Sequence, residues 1–261
     1  MKTKLLKRMR KKQLFNDFFC SVFTNESAKI PIHDKKCESE LDDVQFIVEN
    51  VEKRLSKLDP YKSPGTDNLH PRILKELSKQ IAAPLSMIFT KSINEGRLPQ
   101  DWKDANVVPL HKKGKKELVS NYRPISLTSI ACKIMESIIK DDIMNHLIEK
   151  HLLTNDQHGF VPGKSCQSNL LLFLDHITNA IEKKNDFDVI YFDFAKAFDS
   201  VPHDRLIYKL SRYGINGKLL TWIKSFLSNR RQRVRLKNYY SSFEPVLSGV
   251  PQGSVIGPIL F

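Results

Sequence analysis

Asp188–Val201 reads D-V-I-Y-F-D-F-A-K-A-F-D-S-V, and the fold turns on how that stretch is interpreted. Val189, Ile190, Tyr191 and Phe192 form a short run of β-branched and aromatic residues, the composition of a buried strand. Asp193 follows where a purely structural strand would place another hydrophobe. A carboxylate at the end of a core strand is costly unless something pairs with it, and a divalent cation is a common partner. The plainer alternative is a strand that ends at Phe192.

Ser248–Phe261, S-G-V-P-Q-G-S-V-I-G-P-I-L-F, narrows the choice. Gly249, Gly253 and Gly257 punctuate an otherwise apolar segment, and glycines at that density let a backbone approach a flat or charged ligand. Gln252 offers a donor and an acceptor beside them. A turn feeding an apolar helix explains two of the glycines but not the whole string. Together the segments resemble reverse transcriptases, specifically those of non-LTR (LINE-type, jockey- or CR1-like) retrotransposons. F-D-F-A-K-A-F-D-S-V resembles that family's first palm motif, and G-V-P-Q-G-S-V-I-G-P-I-L-F its nucleotide-and-template motif. A group II intron-like maturase is a related possibility, but K-A-F-D-S-V-P-H and S-V-I-G-P-I-L-F favour the retrotransposon reading.

The composition suits that class. A chain of 261 residues can bury a sizeable core, and 41% hydrophobic residues is ordinary for a globular protein. Lys and Arg total 42 against 29 acidic residues, a formal charge of +13, which favours a polyanionic partner through counterion release. The excess is concentrated between His203 and Tyr240, where Arg230, Arg231, Arg233, Arg235 and Lys237 stand close together. Cys20, Cys37, Cys132 and Cys166 lack metal-ligand spacing and read as reduced thiols of an intracellular protein. No apolar run approaches the roughly 18 residues that cross a bilayer, so no membrane partner is expected.

Along the chain, residues 1–60 read as a basic helical leader and linker, with helical spacing over Leu14–Thr24 and again at Val44, Ile47, Val48, Val51 and Leu55. A helix is expected from Pro71 towards Ala83, with Pro84 opening another that ends near Gly96. Asn106–Leu110 and Tyr122–Leu127 flank a lysine-rich tip and read as a hairpin. Helices are expected over Ser129–Lys150 and Ser168–Lys184, the second with a core face of Leu170, Leu171, Leu174, Ile177 and Ile181. Further helices are expected over Asp204–Tyr213 and Leu219–Leu227. A basic hairpin then joins Arg233–Leu236 to Phe243–Leu247 through Tyr239–Ser242.

The resemblance implies an α+β fold, right-hand polymerase fingers over residues 61–185 and an incomplete palm over 186–261. It implies an RNA-directed DNA polymerase that takes an RNA template, a DNA primer and deoxynucleotides, and that works in the nucleus. Nucleotidyl transfer uses two divalent ions held by oxygen ligands, Mg²⁺ being the expected one. By the resemblance, Asp193 is the first metal-binding aspartate and the catalytic residue, and the Phe194 carbonyl adds a metal ligand. Phe198 faces the sugar 2′ carbon, Arg123 grips the triphosphate, and either Lys112 or Lys113 supplies a second cation. Gln252 and Gly253 approach the incoming nucleotide or template base, while Arg230–Lys237 tracks the template–primer backbone. Asp199 is read as a cap for the following helix and left out of the metal site. The chain ends at Phe261, ahead of any strand bearing the family's Asp-Asp pair, and neither Asp42-Asp43 nor Asp141-Asp142 substitutes for it. The expectation is a polymerase fragment inactive alone, with a non-catalytic RNA-binding remnant as the alternative.

Overall fold

The computed structural model describes residues 2–24, 30–32, 34 and 36–261, with side chains from residue 11 onward. The fold is α+β. Its largest core surrounds helix α6 (Ile130–Glu149), which Ser129 caps by accepting the Cys132 N–H at 3.3 Å. Ile130, Ile134, Met135, Ile138, Ile139, Ile143 and Leu147 are all buried, more than one stripe, as befits a helix packed on several sides. Around it lie α2 (Val48–Ser56), α3 (Pro71–Glu76), α4 (Ser78–Glu95), the single turn α5 (Gln100–Lys103), α8 (His203–Arg212) and α9 (Gly217–Leu227). In α9, Trp222 stacks on Phe226 and donates its indole N–H to Ser92 Oγ at 3.1 Å, so its one polar atom is satisfied inside the core.

Beside this core stands a sheet ordered β2-β1-β3-β4, with the short β5 (Glu244–Pro245) also on β3. β1 (Asp104–His111) and β2 (Tyr122–Leu127) form the expected antiparallel hairpin, His111 opposite Tyr122. β3 (Arg231–Leu236) runs parallel to β1, Asp104 beside Arg231, across a long helical crossover. β4 (Tyr239–Tyr240) folds back on β3 directly after Lys237-Asn238, with Lys237 at φ +58°. The tyrosines are therefore the return strand and not the connecting turn. That two-residue turn is the reason: it places Tyr239 opposite Leu236 at once.

Helix α1 (Lys2–Cys20) crosses the sheet, burying Phe15 and Phe19 against Val107 and Val234. Lys12 Nζ bonds the Tyr240 carbonyl, and Asn16 Nδ2 donates to Ser242 O at 3.1 Å. The helical spacing expected in the leader is thus a docking face. The linker over residues 31–43 lies partly outside the described residues, while Leu41 pairs with Ile215.

Three further expectations about the elements are corrected. The break before α4 falls at Leu77, and Pro84 lies inside that helix, which ends at Gly96 in the left-handed conformation. α7 (Cys166–Glu182) forms, fixed by a reciprocal Ser165–Ser168 capping box, but no residue of it is buried. Leu170, Leu171, Leu174 and Ile181 are exposed, because no described element covers that face. Most consequentially, Val189–Phe192 is not a strand: residues 185–194 are irregular, and Phe192 is 90% exposed. A strand needs a neighbouring edge for its amides and carbonyls. No described strand pairs with residues 189–192, and at the outer edge of β2 the Gln252 carbonyl accepts the Ser126 N–H at 2.7 Å. Among the described residues, no helix is long and apolar enough to cross a membrane.

Candidate active site

A cavity of about 570 Å³ opens between the β1–β2 hairpin, the Asp193–Asp199 segment and the glycine-rich segment. Its walls carry Lys112 and Arg123 from the hairpin; Asp193, Phe194 and Phe198 from the second segment; and Gln252 and Gly253 from the third. Residues selected from three distant stretches of sequence therefore meet on one surface. Lys113 lies on the exposed turn and is not part of the wall, so Lys112 is the lysine that the cavity includes.

Local backbone chemistry explains the convergence. Gly249 sits at φ +87°, and a Cβ there would come within 2.5 Å of the Phe198 carbonyl. The backbones interlock through Gly249 N–H to Val201 O and Val250 N–H to Phe198 O, both 2.7 Å. Gly253, at φ +121°, brings its main chain so close to β2 that a Cβ would meet Ser126 O at 2.6 Å. Only glycine permits both approaches.

Asp193 stands exposed at the cavity mouth and not at the end of a core strand; the missing strand leaves it in solvent. Asp199 is half-buried in a short 3₁₀ turn (Ala197–Asp199) and accepts from Gln252 Nε2 at 3.2 and 3.3 Å on its two oxygens. It does not cap α8, whose N-cap is Pro202 without a side-chain bond. Burial pushes its carboxyl upward, while the Gln252 bond and Lys196 pull it back. Phe198 stacks on Phe261 with ring centroids 5.0 Å apart, one side against the core and the other on the cavity. Helix α1 adds Phe18, Phe19 and Val22 to the wall, and Lys196 Nζ lies 5.0 Å from the Phe18 ring centroid. Neither the α1 aromatics nor Lys196 was singled out from sequence; the F-x-x-x-F spacing of Phe15 and Phe19 marked a helix face but not what it covers.

Mg²⁺ demands several hard oxygen ligands. Asp193 and Asp199 supply carboxylates on the same cavity, but Asp199 is engaged by Gln252. Among the described residues, no three His, Cys, Asp or Glu side chains come together as a metal site. These residues do not by themselves complete a magnesium shell.

The basic strand forms a second surface. Arg231, Arg233 and Arg235 alternate onto one face of β3, and the Arg233 guanidinium lies 4.2 Å from the Tyr240 ring centroid and 4.6 Å from that of Phe243. Arg231 makes a bidentate pair with Asp104, Nε–Oδ1 3.0 Å and Nη2–Oδ2 2.6 Å. Arg233 Nε donates to Asn106 Oδ1 at 2.8 Å, while Lys237 is exposed at the hairpin tip. Arg230 is a correction. It is buried, donates to Phe226 O at 2.9 Å and lies over that ring, so it cannot meet a nucleic acid. It precedes the strand and folds back onto the end of α9 instead of joining the alternation.

Residues 110–261 match the family described as "Reverse transcriptase (RNA-dependent DNA polymerase)". The chain belongs to that family. It is 34% identical over 221 residues to the probable RNA-directed DNA polymerase from transposon BS of Drosophila melanogaster, covering 82% of this chain and 24% of that protein. The RNA-directed DNA polymerase from mobile element jockey of the same species is 34% identical over 215 residues, covering 82% and 23%. The probable polymerase from transposon X-element is 31% identical over 201 residues, covering 77% and 22%. The jockey-like resemblance drawn from the two motifs is therefore borne out. The chain spans about a quarter of the length of these relatives.

Proposed function

We propose that this chain is the nucleotide-facing part of an RNA-directed DNA polymerase of a non-LTR retrotransposon. The carrying observation is the single cavity on which Lys112, Arg123, Asp193, Phe198, Gln252 and Gly253 meet. Two cations opposite a carboxylate, with an aromatic floor and a close backbone, suit a deoxynucleoside triphosphate: the guanidinium fork for phosphate oxygens, the ring for the sugar. In this reading residues 61–185 are fingers, residues 186–261 are the part of the palm present here, and residues 1–60 lead into them. Phe198 excludes a 2′-hydroxyl, so the product is DNA. Asp193 and the Phe194 carbonyl are this chain's donors towards the divalent ions, to which further ligands must be added. Arg231, Arg233, Arg235 and Lys237 follow the RNA template and DNA primer backbone, and the setting is nuclear.

The test grafts residues 110–261 into the matching stretch of the jockey polymerase and assays RNA-templated primer extension with Mg²⁺. Extension is expected, and Asp193→Ala should abolish it while RNA retention persists. Continued extension by the variant would remove Asp193 from catalysis. A second reading, an RNA-binding remnant without catalysis, is favoured by the incomplete carboxylate set; a graft that retains RNA but never extends a primer would select it. In either case RNA affinity should fall steeply with added salt.

A further inference from the structure

Glu136 is a fully buried carboxyl group at the end of the second turn of α6, between the buried Met135 and Ile139 in sequence, and it lies on no wall of the cavity. Burial pushes its carboxyl upward while the two amides, Arg230 and Lys133 pull it back, and a carboxyl so placed is retained where its oxygens are used. Its Oε2 accepts two main-chain amides of the glycine-rich segment, Val255 N–H at 2.6 Å and Ile256 N–H at 3.2 Å. The buried guanidinium of Arg230 and the Lys133 ammonium supply opposite charge to it.

These bonds fix one end of a short bridge. At the other end, Ser126 N–H holds the Gln252 carbonyl at 2.7 Å. Ser126 and Glu136 belong to β2 and α6, consecutive elements joined through Thr128 and Ser129, so both anchors ride on one rigid piece. Between them stand Gln252, aimed at Asp199, and Gly253, pressed against Ser126. The length of the bridge leaves little freedom. The Val255 and Ile256 amides are held by Glu136, and the Gln252 carbonyl by Ser126.

We infer that Glu136 is a positioning residue for the nucleotide site: from outside the cavity, its clamp on the Val255 and Ile256 amides sets Gln252 and Gly253 in place for a deoxynucleoside triphosphate. This rests on the reading of the cavity proposed above. The carboxylate touches no substrate and acts only through the segment that it holds.

The experiment uses the full chain carrying Glu136→Gln, Gln252→Ala or both, with dATP and magnesium chloride as probe and a short RNA as control. Glu136→Gln keeps the size and an oxygen able to accept both amides, since both bond Oε2, but loses the charge that strengthens the two bonds. Amide exchange at Val255 and Ile256 should therefore accelerate about tenfold or more. dATP affinity should fall about fivefold or more, the RNA affinity of the basic strand should stay within about twofold, and the double variant should bind dATP no worse than Gln252→Ala alone. A purely structural role would lower dATP and RNA binding together and add to the Gln252→Ala loss; either result overturns the inference. So would undiminished protection at Val255 and Ile256. If the wild-type chain binds no dATP, the reading of the cavity fails and takes the nucleotide half of the inference with it, while exchange at the two amides still reports separately whether the clamp exists.

Discussion

Replacing Arg231 with alanine separates two roles that one side chain could have on the basic strand. The Asp104 side chain is 7% exposed and its oxygens accept from both arms of the guanidinium, whereas the Arg231 side chain is 47% exposed. Removing one partner of a fully buried pair costs about 3–5 kcal/mol. Here the exposed guanidinium already shares its charge with water, and Gln100 Nε2 remains on Asp104 Oδ1 at 2.7 Å, so the loss should be nearer about 1–2 kcal/mol. At about 2–4 °C per kcal/mol for a chain of this size, the melting midpoint should fall by about 2–8 °C. Arg235→Ala gives the contrast. Among the described residues Arg235 donates to the Lys237 carbonyl at 3.0 Å and lies 5.9 Å from the Tyr240 ring centroid, so its loss should move the midpoint little. Among the described residues no carboxylate pairs with it, and the slope of log affinity against log salt for RNA should shrink by roughly 0.7–1. Arg231→Ala should change that slope less. Thermal melts of the three proteins and RNA titrations at several salt concentrations read both quantities. If Arg231→Ala melts like the wild type, or flattens the salt slope as much as Arg235→Ala, the assignment of Arg231 to the sheet and Arg235 to nucleic acid is refuted.

Asp199→Asn should carry a pH signature. Burial raises the Asp199 carboxyl above 3.8, so the folded state favours its neutral form and ionisation costs stability as pH rises from the ordinary carboxylate range through the raised value. Melting midpoints should therefore favour the variant more at pH 7 than at about pH 3.5; the reverse order would mean that the Gln252 bonds outweigh burial. On α7, Leu174→Ser should shift stability by no more than about 0.5 kcal/mol. Ile139→Ala in α6 should cost about 2–5 kcal/mol. Urea denaturation compares them, and a large loss at Leu174 would show that its face is covered.

Much of this was legible in the sequence because periodicity reports which faces are apolar. α6, α8, α9 and the β1–β2 hairpin follow from such spacing within a few residues of their ends. Periodicity does not report whether a partner is present. The same Val-Ile-Tyr-Phe composition that reads as a strand at 189–192 stays exposed where no described strand pairs with it, and the leucines of α7 make a helix that nothing described covers. Charge runs have a similar blind spot: Arg230 and Arg231 are neighbours, yet one folds back onto Phe226 and the other pairs with Asp104. The cavity itself was legible because its residues came from motifs, whose chemistry survives local errors in secondary structure. Asp199 stands inside a motif but reads there as a cap; what the motifs did not mark were groups behind or beside them, the aromatics of α1 and Glu136, hidden among apolar letters of an amphipathic pattern.

The parallel pairing of β1 with β3 has a kinetic consequence. Asp104 and Arg231 are 127 positions apart, and the carbonyls that receive α1 lie later still, at Tyr240 and Ser242. During synthesis the hairpin emerges with one edge bare and α1 without a seat, until the residues of β3 and β4 have been made. Non-local closure of this kind is slow, and an open edge invites the wrong neighbour. A chaperone that shields that edge, or a pause in translation before residue 231, would govern how much newly made protein reaches its native form.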